Sequence, residues 1–205
     1  MLIEIHPDNP QPRKIQEVVD HLKKGGVIIY PTDTVYGIGC DINNRKAVER
    51  ICQIRSINPA KANFSFICSD LSNISDYCTG ITNPTFKLMK RFLPGPYTFI
   101  LPAKNTVPRL FQSKKKTVGI RVPDNLIPRM IVESLGNPIM TASVHDADDI
   151  LEYTVDPSLI HERYENQVEL VIDGGPGGME GSSIIDCSKG KIEIVRQGKG
   201  PVDDL

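Results

Sequence analysis

The 205-residue sequence has no uninterrupted apolar run near the roughly 18 residues that a membrane-spanning helix requires, so a membrane is not an expected partner. It lacks a charge excess: 24 Lys and Arg against 25 Asp and Glu leave a net charge of -1. A dedicated nucleic-acid coat usually carries a clear basic surplus, so the charge balance argues against that class. There is no C-x-x-C, and the five cysteines (Cys40, Cys52, Cys68, Cys78 and Cys187) lack pairing-type spacing. Most sit in apolar runs such as Phe64–Cys68, which reads as reduced, buried small hydrophobes rather than disulfides or a metal site. Met1–Pro12 carries charges and prolines but no apolar stretch of the secretory type, so the expected location is cytoplasmic. No repeat, low-complexity tract or linker-like shift divides the chain, and a single domain over residues 1–205 is expected. A hydrophobic share of 40% with 24% charged residues is that of a globular core, not of disorder.

What is present is a series of short periodic segments punctuated by 16 Pro and 16 Gly. Ile15, Val18, Val19 and Leu22 recur at helical spacing, and Gly25–Gly26 closes that helix. Ala47–Ile54, Phe86–Phe92 and Arg129–Leu135 read as further helices. Val27–Tyr30, Phe64–Cys68, Tyr97–Leu101, Val118–Val122, Ile139–Ala142, Val168–Ile172, Ser183–Asp186 and Ile192–Val195 read as strands. Helices and strands alternate early and strands cluster late, which predicts an α/β fold with an open, twisted, mixed sheet and flanking helices. Residues 146–166 are polar and predicted to be surface. Asp146, Asp148 and Asp149 there read as a solvated loop, since no calcium-loop glycine accompanies them.

Polar motifs stand where the strands end. Tyr30-Pro-Thr-Asp-Thr-Val-Tyr-Gly37 follows a buried strand, and Thr32 and Thr34 offer hydroxyls and backbone N–H groups either to a ligand or to a tight turn. Arg121, within the apolar run Gly119–Pro123, needs an internal carboxylate or a ligand anion. Its guanidinium fork suits carboxylate or phosphate. Thr141-Ala-Ser-Val-His145 delivers hydroxyls and a histidine to another strand end. Ser182 and Ser183 open a strand, and Arg196 closes the next. Leu93-Pro-Gly-Pro-Tyr-Thr98 is a rigid helix-to-strand turn. No nucleophile–base pair, metal cluster or P-loop appears. Such a site works by positioning and neutralising charge, as phosphoryl and nucleotidyl transfer require.

In this order and spacing the segments resemble the YrdC-like family, the threonylcarbamoyl-AMP synthases. The matching residues are Pro31–Gly37, Pro94–Pro96 with Thr98, Thr117–Pro123, Ser143, Ser182–Asp186, and Arg196 with Gly198. The opening His6–Pro10 and the Thr117–Pro123 run are similar to the YciO-like branch. The resemblance implies a twisted α/β sheet around a large concave basic cavity. It implies nucleotidyltransferase chemistry, in which L-threonine, bicarbonate and ATP give threonylcarbamoyl-AMP and pyrophosphate for t6A at position 37 of tRNA. By the same resemblance Thr34, Arg121, Thr141 and Ser182 hold threonine. Arg55, Thr117, Ser143 and Arg196 hold ATP, with Arg55 and Ser143 also in catalytic positions. Mg2+ accompanies the nucleotide, no resident metal is implied, and proteins of the t6A pathway are expected partners. A chain ending at Leu205 is expected to lack the extra C-terminal domain of longer members. Arg121→Ala is expected to remove ligand binding while leaving the fold intact.

Two departures bear on activity. Where the synthases carry Lys-x-Arg, this sequence has Arg55-Ser-Ile57-Asn58, with Lys61 nearby as a replacement charge. Where they carry Ser-x-Asn, it has Ser143-Val-His145. Both imply attenuated synthesis. Two other functions stand beside this one: a non-catalytic protein binding double-stranded RNA or tRNA, and a nucleotidyltransferase acting on a different amino acid. For the first, Lys87, Lys90, Arg91, Lys104, Arg109 and Lys114–Lys116 offer a basic surface. The same charges also read as a solvated face, with Lys114–Lys116 a hairpin tip.

Overall fold

The computed structural model describes residues 1–56, 58, 64–105, 107, 116–144 and 154–203. His145, the acidic cluster at 146–149, Ile57, Lys61, Arg109, Lys114 and Lys115 lie outside the described residues. Ten strands form one sheet: β1 (Leu2–Glu4), β2 (Ile28–Tyr30), β3 (Gly37–Asp41), β4 (Ser65–Ile67), β5 (Tyr97–Pro102), β6 (Thr117–Arg121), β7 (Ile139–Ser143), β8 (Leu170–Asp173), β9 (Ser183–Asp186) and β10 (Glu193–Arg196). Their spatial order is β1-β8-β2-β3-β7-β4-β6-β5-β9-β10. Pairs β1–β8, β2–β8, β4–β6 and β5–β9 are parallel and the remaining pairs antiparallel, so the sheet is mixed as predicted. Among the described residues five α-helices flank it: α1 (Pro12–Lys23), α2 (Arg45–Ile54), α3 (Asn83–Phe92), α4 (Leu126–Leu135) and α5 (Pro157–Tyr164). No helix among the described residues is long and apolar enough to cross a membrane.

The two sheet faces are covered differently. One carries Val27, Ile29, Ile38, Phe66, Phe99, Ile120, Met140 and Ile185, packed with α2 (Val48, Ile51), Met89 of α3, and Ile160 and Tyr164 of α5. The other carries Ile28, Tyr30, Ile67, Ile139, Leu170 and Ile172 under α1 (Ile15, Val18, Val19, Leu22) and α4 (Ile127, Ile131, Leu135). Each helix buries one stripe because its apolar residues recur every three or four positions. Helix ends follow the same local logic. Asn44, Thr82, Asn125 and Asp156 each accept a backbone N–H of the first turn of α2, α3, α4 and α5. All five cysteines are free and buried, as expected from their apolar settings.

Three elements differ from the sequence-based expectation. The polar stretch predicted to be surface contains α5, which buries Ile160 and Tyr164, and Thr154 before it is also buried. β1 is a short edge strand that the sequence reading did not include, paired with β8. β3, two of whose five residues are glycines, has no counterpart among the strands read from the sequence. It pairs on both edges, with Ile38 and Cys40 facing the core.

Candidate active site

Residues paired across a sheet share a face. On the α1/α4 face one row runs Gly39, Thr141, Ser65, Gly119, and the neighbouring row pairs Gly37 with Ser143. These positions are glycine or small hydroxyl residues, so this part of the face is shallow and polar where the flanking part is apolar. A Cβ on Gly119 would overlap Ser65 Oγ, so the row is packed as closely as glycine allows. Tyr30, opposite Gly37, reaches across to donate its hydroxyl proton to Thr141 Oγ1 at 2.7 Å. Burial pushes the Tyr30 phenol well above its ordinary pKa, against the opposing pull of that hydrogen bond and of Arg121, so it stays a donor at neutral pH.

The charged corner forms at the end of β6. Arg121 Nη2 lies 2.5 Å from Asp33 Oδ1, 2.6 Å from Thr34 Oγ1 and 3.1 Å from Thr32 Oγ1. The two charged side chains are only 10% and 9% exposed, which makes this a buried pair. The internal carboxylate is therefore the one that follows Thr32, within the same motif. Arg121 Nε is buried and has no hydrogen-bond partner among the described residues. The Asp124 N–H donates to Asp33 Oδ2 at 3.1 Å, and Lys199 Nζ donates to the Asp33 main-chain oxygen at 2.5 Å. The Pro31–Tyr36 connection is thereby tied to the start of α4 and to the C-terminal segment.

Thr98 and Ser182 hydroxyls lie 2.8 Å apart, and Arg196 Nη2 donates to the Ser182 carbonyl at 2.7 Å. Phe99 pairs with Ile120, so Thr98 adjoins Arg121 across the β5–β6 ladder. Arg196 is largely exposed. Burial of its guanidinium portion, and then the Arg121 charge, hold its pKa below the usual arginine value. The Leu93–Pro94 peptide is cis, and the Gly95 N–H donates to the Val122 carbonyl at 2.9 Å, which seats this turn beside the same corner.

The remaining sequence-picked residues lie along the strip. Thr117 is four residues from Arg121 on β6, about 13 Å away by strand rise. Thr117 and Ser143 stand two residues beyond Gly119 and Thr141, both of which pair with Ser65, so they share one end of the strip. Arg55 caps the end of α2, and its Nη1 donates to the Val144 carbonyl at 2.6 Å, next to Ser143. Thr34, Arg121, Ser182 and Arg196 therefore meet at one end, Thr141 lies between, and Arg55, Thr117 and Ser143 lie at the other. Sequence reasoning gave no role to Asp33, Lys199 or Tyr30. Asp33 was visible as the only charge in its motif, whereas nothing local marks Lys199. Lys87, Lys90 and Arg91 lie on α3, whose C-terminal end runs into the Leu93–Gly95 turn. A separate cavity of about 390 Å³ lies by Cys68, Asp70, Tyr77, Arg129 and Glu133, and none of the motif residues lines it.

The Arg121–Asp33 pair adds a cost to Arg121→Ala: the substitution strands a buried carboxylate and should lower stability.

The site is thus a strip of glycines and hydroxyls on a mixed ten-stranded sheet, with arginines at its ends. Among the described residues no three His, Cys, Asp or Glu side chains cluster to hold a metal. The family model Sua5/YciO/YrdC, described as telomere recombination, matches residues 20–198, and the chain belongs to this family. Within it the chain is 46% identical to YciO of Escherichia coli (strain K12) over 200 residues, covering 97% of this chain and 95% of that one. The crystal structure of E. coli YciO superposes with a TM-score of 0.92 at 42% identity, covering 99% of this chain and 98% of that chain. These place it in the YciO branch. It is 28% identical to the threonylcarbamoyl-AMP synthase of Vibrio vulnificus (strain YJ016) over 186 residues, 90% of this chain and 98% of that one. The crystal structure of P. abyssi Sua5 complexed with L-threonine gives a TM-score of 0.90 at 25% identity, covering all of this chain and 59% of that chain.

Proposed function

We propose that the chain is a threonylcarbamoyl-AMP synthase-like nucleotidyltransferase, which condenses L-threonine and bicarbonate with ATP and supplies the product to t6A formation on tRNA in the cytoplasm. The observation that carries this reading is the corner around Arg121. A buried guanidinium with an unused Nε–H, hydroxyls on two sides and two further cations suits a small carboxylate lying beside an anionic chain. Sua5, bound to L-threonine, has the same fold at 25% identity and supports the choice of amino acid.

In this reading Arg121, Thr34, Thr141 and Ser182 hold the amino acid, and Arg55, Thr117, Ser143 and Arg196 hold ATP. The amine takes up bicarbonate with loss of water to form a carbamate. A carbamate oxygen then bonds to the α-phosphorus as the bond to pyrophosphate breaks. Both partners are anions, so the work of the protein is to neutralise and align them. Arg55, held on the Val144 carbonyl, keeps its charge beside Ser143. Mg2+ enters with the triphosphate.

At position 57 or 58 the sequence lacks the arginine that the synthases carry, and at 145 it has histidine in place of their amide. Losing one preorganised donor costs about 100- to 1,000-fold in rate, so slow synthesis is expected. The test is pyrophosphate release from ATP by the purified protein, with and without threonine and bicarbonate, with the product identified by mass spectrometry. Release that needs both co-substrates supports the reading. No release alongside normal ATP binding overturns it in favour of another substrate, and tight salt-sensitive RNA binding without turnover would favour an RNA-binding role.

A further inference from the structure

The Asp33 carboxylate is the group this function leaves unused. It lies beside the one guanidinium assigned to the ligand carboxylate, and it is fixed there from three directions. Arg121 Nη2 holds Oδ1, the Asp124 N–H holds Oδ2, and Lys199 holds the main-chain oxygen. A carboxylate offers about four acceptor positions. The described bonds to Asp33 use two of them.

A ligand carboxylate that docks on Arg121 therefore docks next to a fixed negative charge. Like charges so close disfavour the complex unless a cation lies between them. An α-amino acid brings that cation on the adjacent carbon. A simple carboxylate does not, and a polyphosphate brings only more negative charge.

We infer that Asp33 is a specificity-determining residue of the amino-acid site: it selects zwitterionic α-amino acids over plain carboxylates and restrains the affinity of the Arg121 corner for polyanions. This rests on the amino-acid reading above, and it explains why a site with Arg121, Arg196 and Lys199 retains an acid at its centre.

The test is calorimetric binding to wild type and Asp33→Asn of three probes: L-threonine, 3-hydroxybutyrate (which keeps the carboxylate and hydroxyl but has no amino group) and inorganic pyrophosphate. Wild type is expected to prefer threonine to 3-hydroxybutyrate by about tenfold or more. In Asp33→Asn the preference falls to within about threefold, while pyrophosphate binds about three- to tenfold tighter. Equal wild-type affinity for threonine and 3-hydroxybutyrate overturns the inference, and that comparison needs no variant to fold. A retained preference in Asp33→Asn, or a parallel weakening of all three probes, overturns it as well, the latter being the mark of a merely structural residue. If wild type binds threonine without discrimination yet makes threonylcarbamoyl-AMP, the function stands and only the role of Asp33 falls. If wild type binds no threonine, the threonine reading falls and takes the selection of zwitterions by Asp33 with it.

Discussion

Replacing Arg121 with methionine removes the charge and keeps most of the side chain's length, so the change isolates the ion pair from packing. The partner left behind is Asp33, whose side chain is 9% exposed. Breaking a buried pair by removing one member costs about 3–5 kcal/mol, because the other charge stays desolvated. Asp33 retains the Asp124 N–H and lies at a site rim, so the lower end, about 3 kcal/mol, is expected. Asp33→Asn costs about 2 kcal/mol, since Arg121 still reaches Thr32 and Thr34. The double variant leaves neither charge stranded and should recover about 1–3 kcal/mol of the summed loss. Urea unfolding of the four proteins at neutral pH measures each value. Additivity within about 0.5 kcal/mol would refute the pairing as a stabilising unit and leave Arg121 a ligand-binding residue alone.

The other predictions concern separate parts of the molecule. Gly198→Ala should lower stability by about 2–3 kcal/mol, because its Cβ would overlap the Gly181 carbonyl and lie 2.8 Å from Ser182 O, both backbone atoms that cannot swing away. Gly136→Ala, at φ +84 with open space around it, should cost only about 1 kcal/mol, and a thermal melt compares the two. For Glu169, burial works to raise the carboxyl pKa, but hydrogen bonds from Arg50 and the Val27 N–H bring it below the ordinary value of 4.5. Its stabilising contribution is then present above that value and lost as pH falls through the lower folded-state pKa. Glu169→Gln should flatten the acid side of the stability profile below about pH 4.5, as read from urea midpoints. Burial pushes the thiols up, Cys187 to about 11 and Cys68 to about 12, so native protein should resist iodoacetamide at pH 8 while urea-unfolded protein reacts at five cysteines. Ile57→Arg with His145→Asn should raise synthase turnover by about 100-fold or more if those departures limit it, as pyrophosphate release will report.

Local periodicity was enough for α1, α2 and α4 and for the core strands β2, β4 and β6, because their apolar residues repeat at the helical or strand period whatever they pack against. The motifs were legible for a related reason: hydroxyls and arginine at the ends of apolar runs conflict with burial unless something polar meets them. β3 was not legible, since Gly37 and Gly39 stand on the polar strip and only Ile38 and Cys40 meet the core. α5 was hidden by its polar residues, although burying Ile160 and Tyr164 holds it on the sheet. Which polar residue meets which was settled by tertiary contact alone. Asp33 and Arg121 are 88 positions apart, Thr98 and Ser182 are 84, and Lys199 reaches Asp33 across 166. A sequence can state that Arg121 requires a counter-charge, because desolvation imposes that cost on any buried guanidinium. Only the closing of the sheet decides that the counter-charge is Asp33 and that Nε is left without a partner among the described residues, because strand order and register set distances that no local spacing encodes.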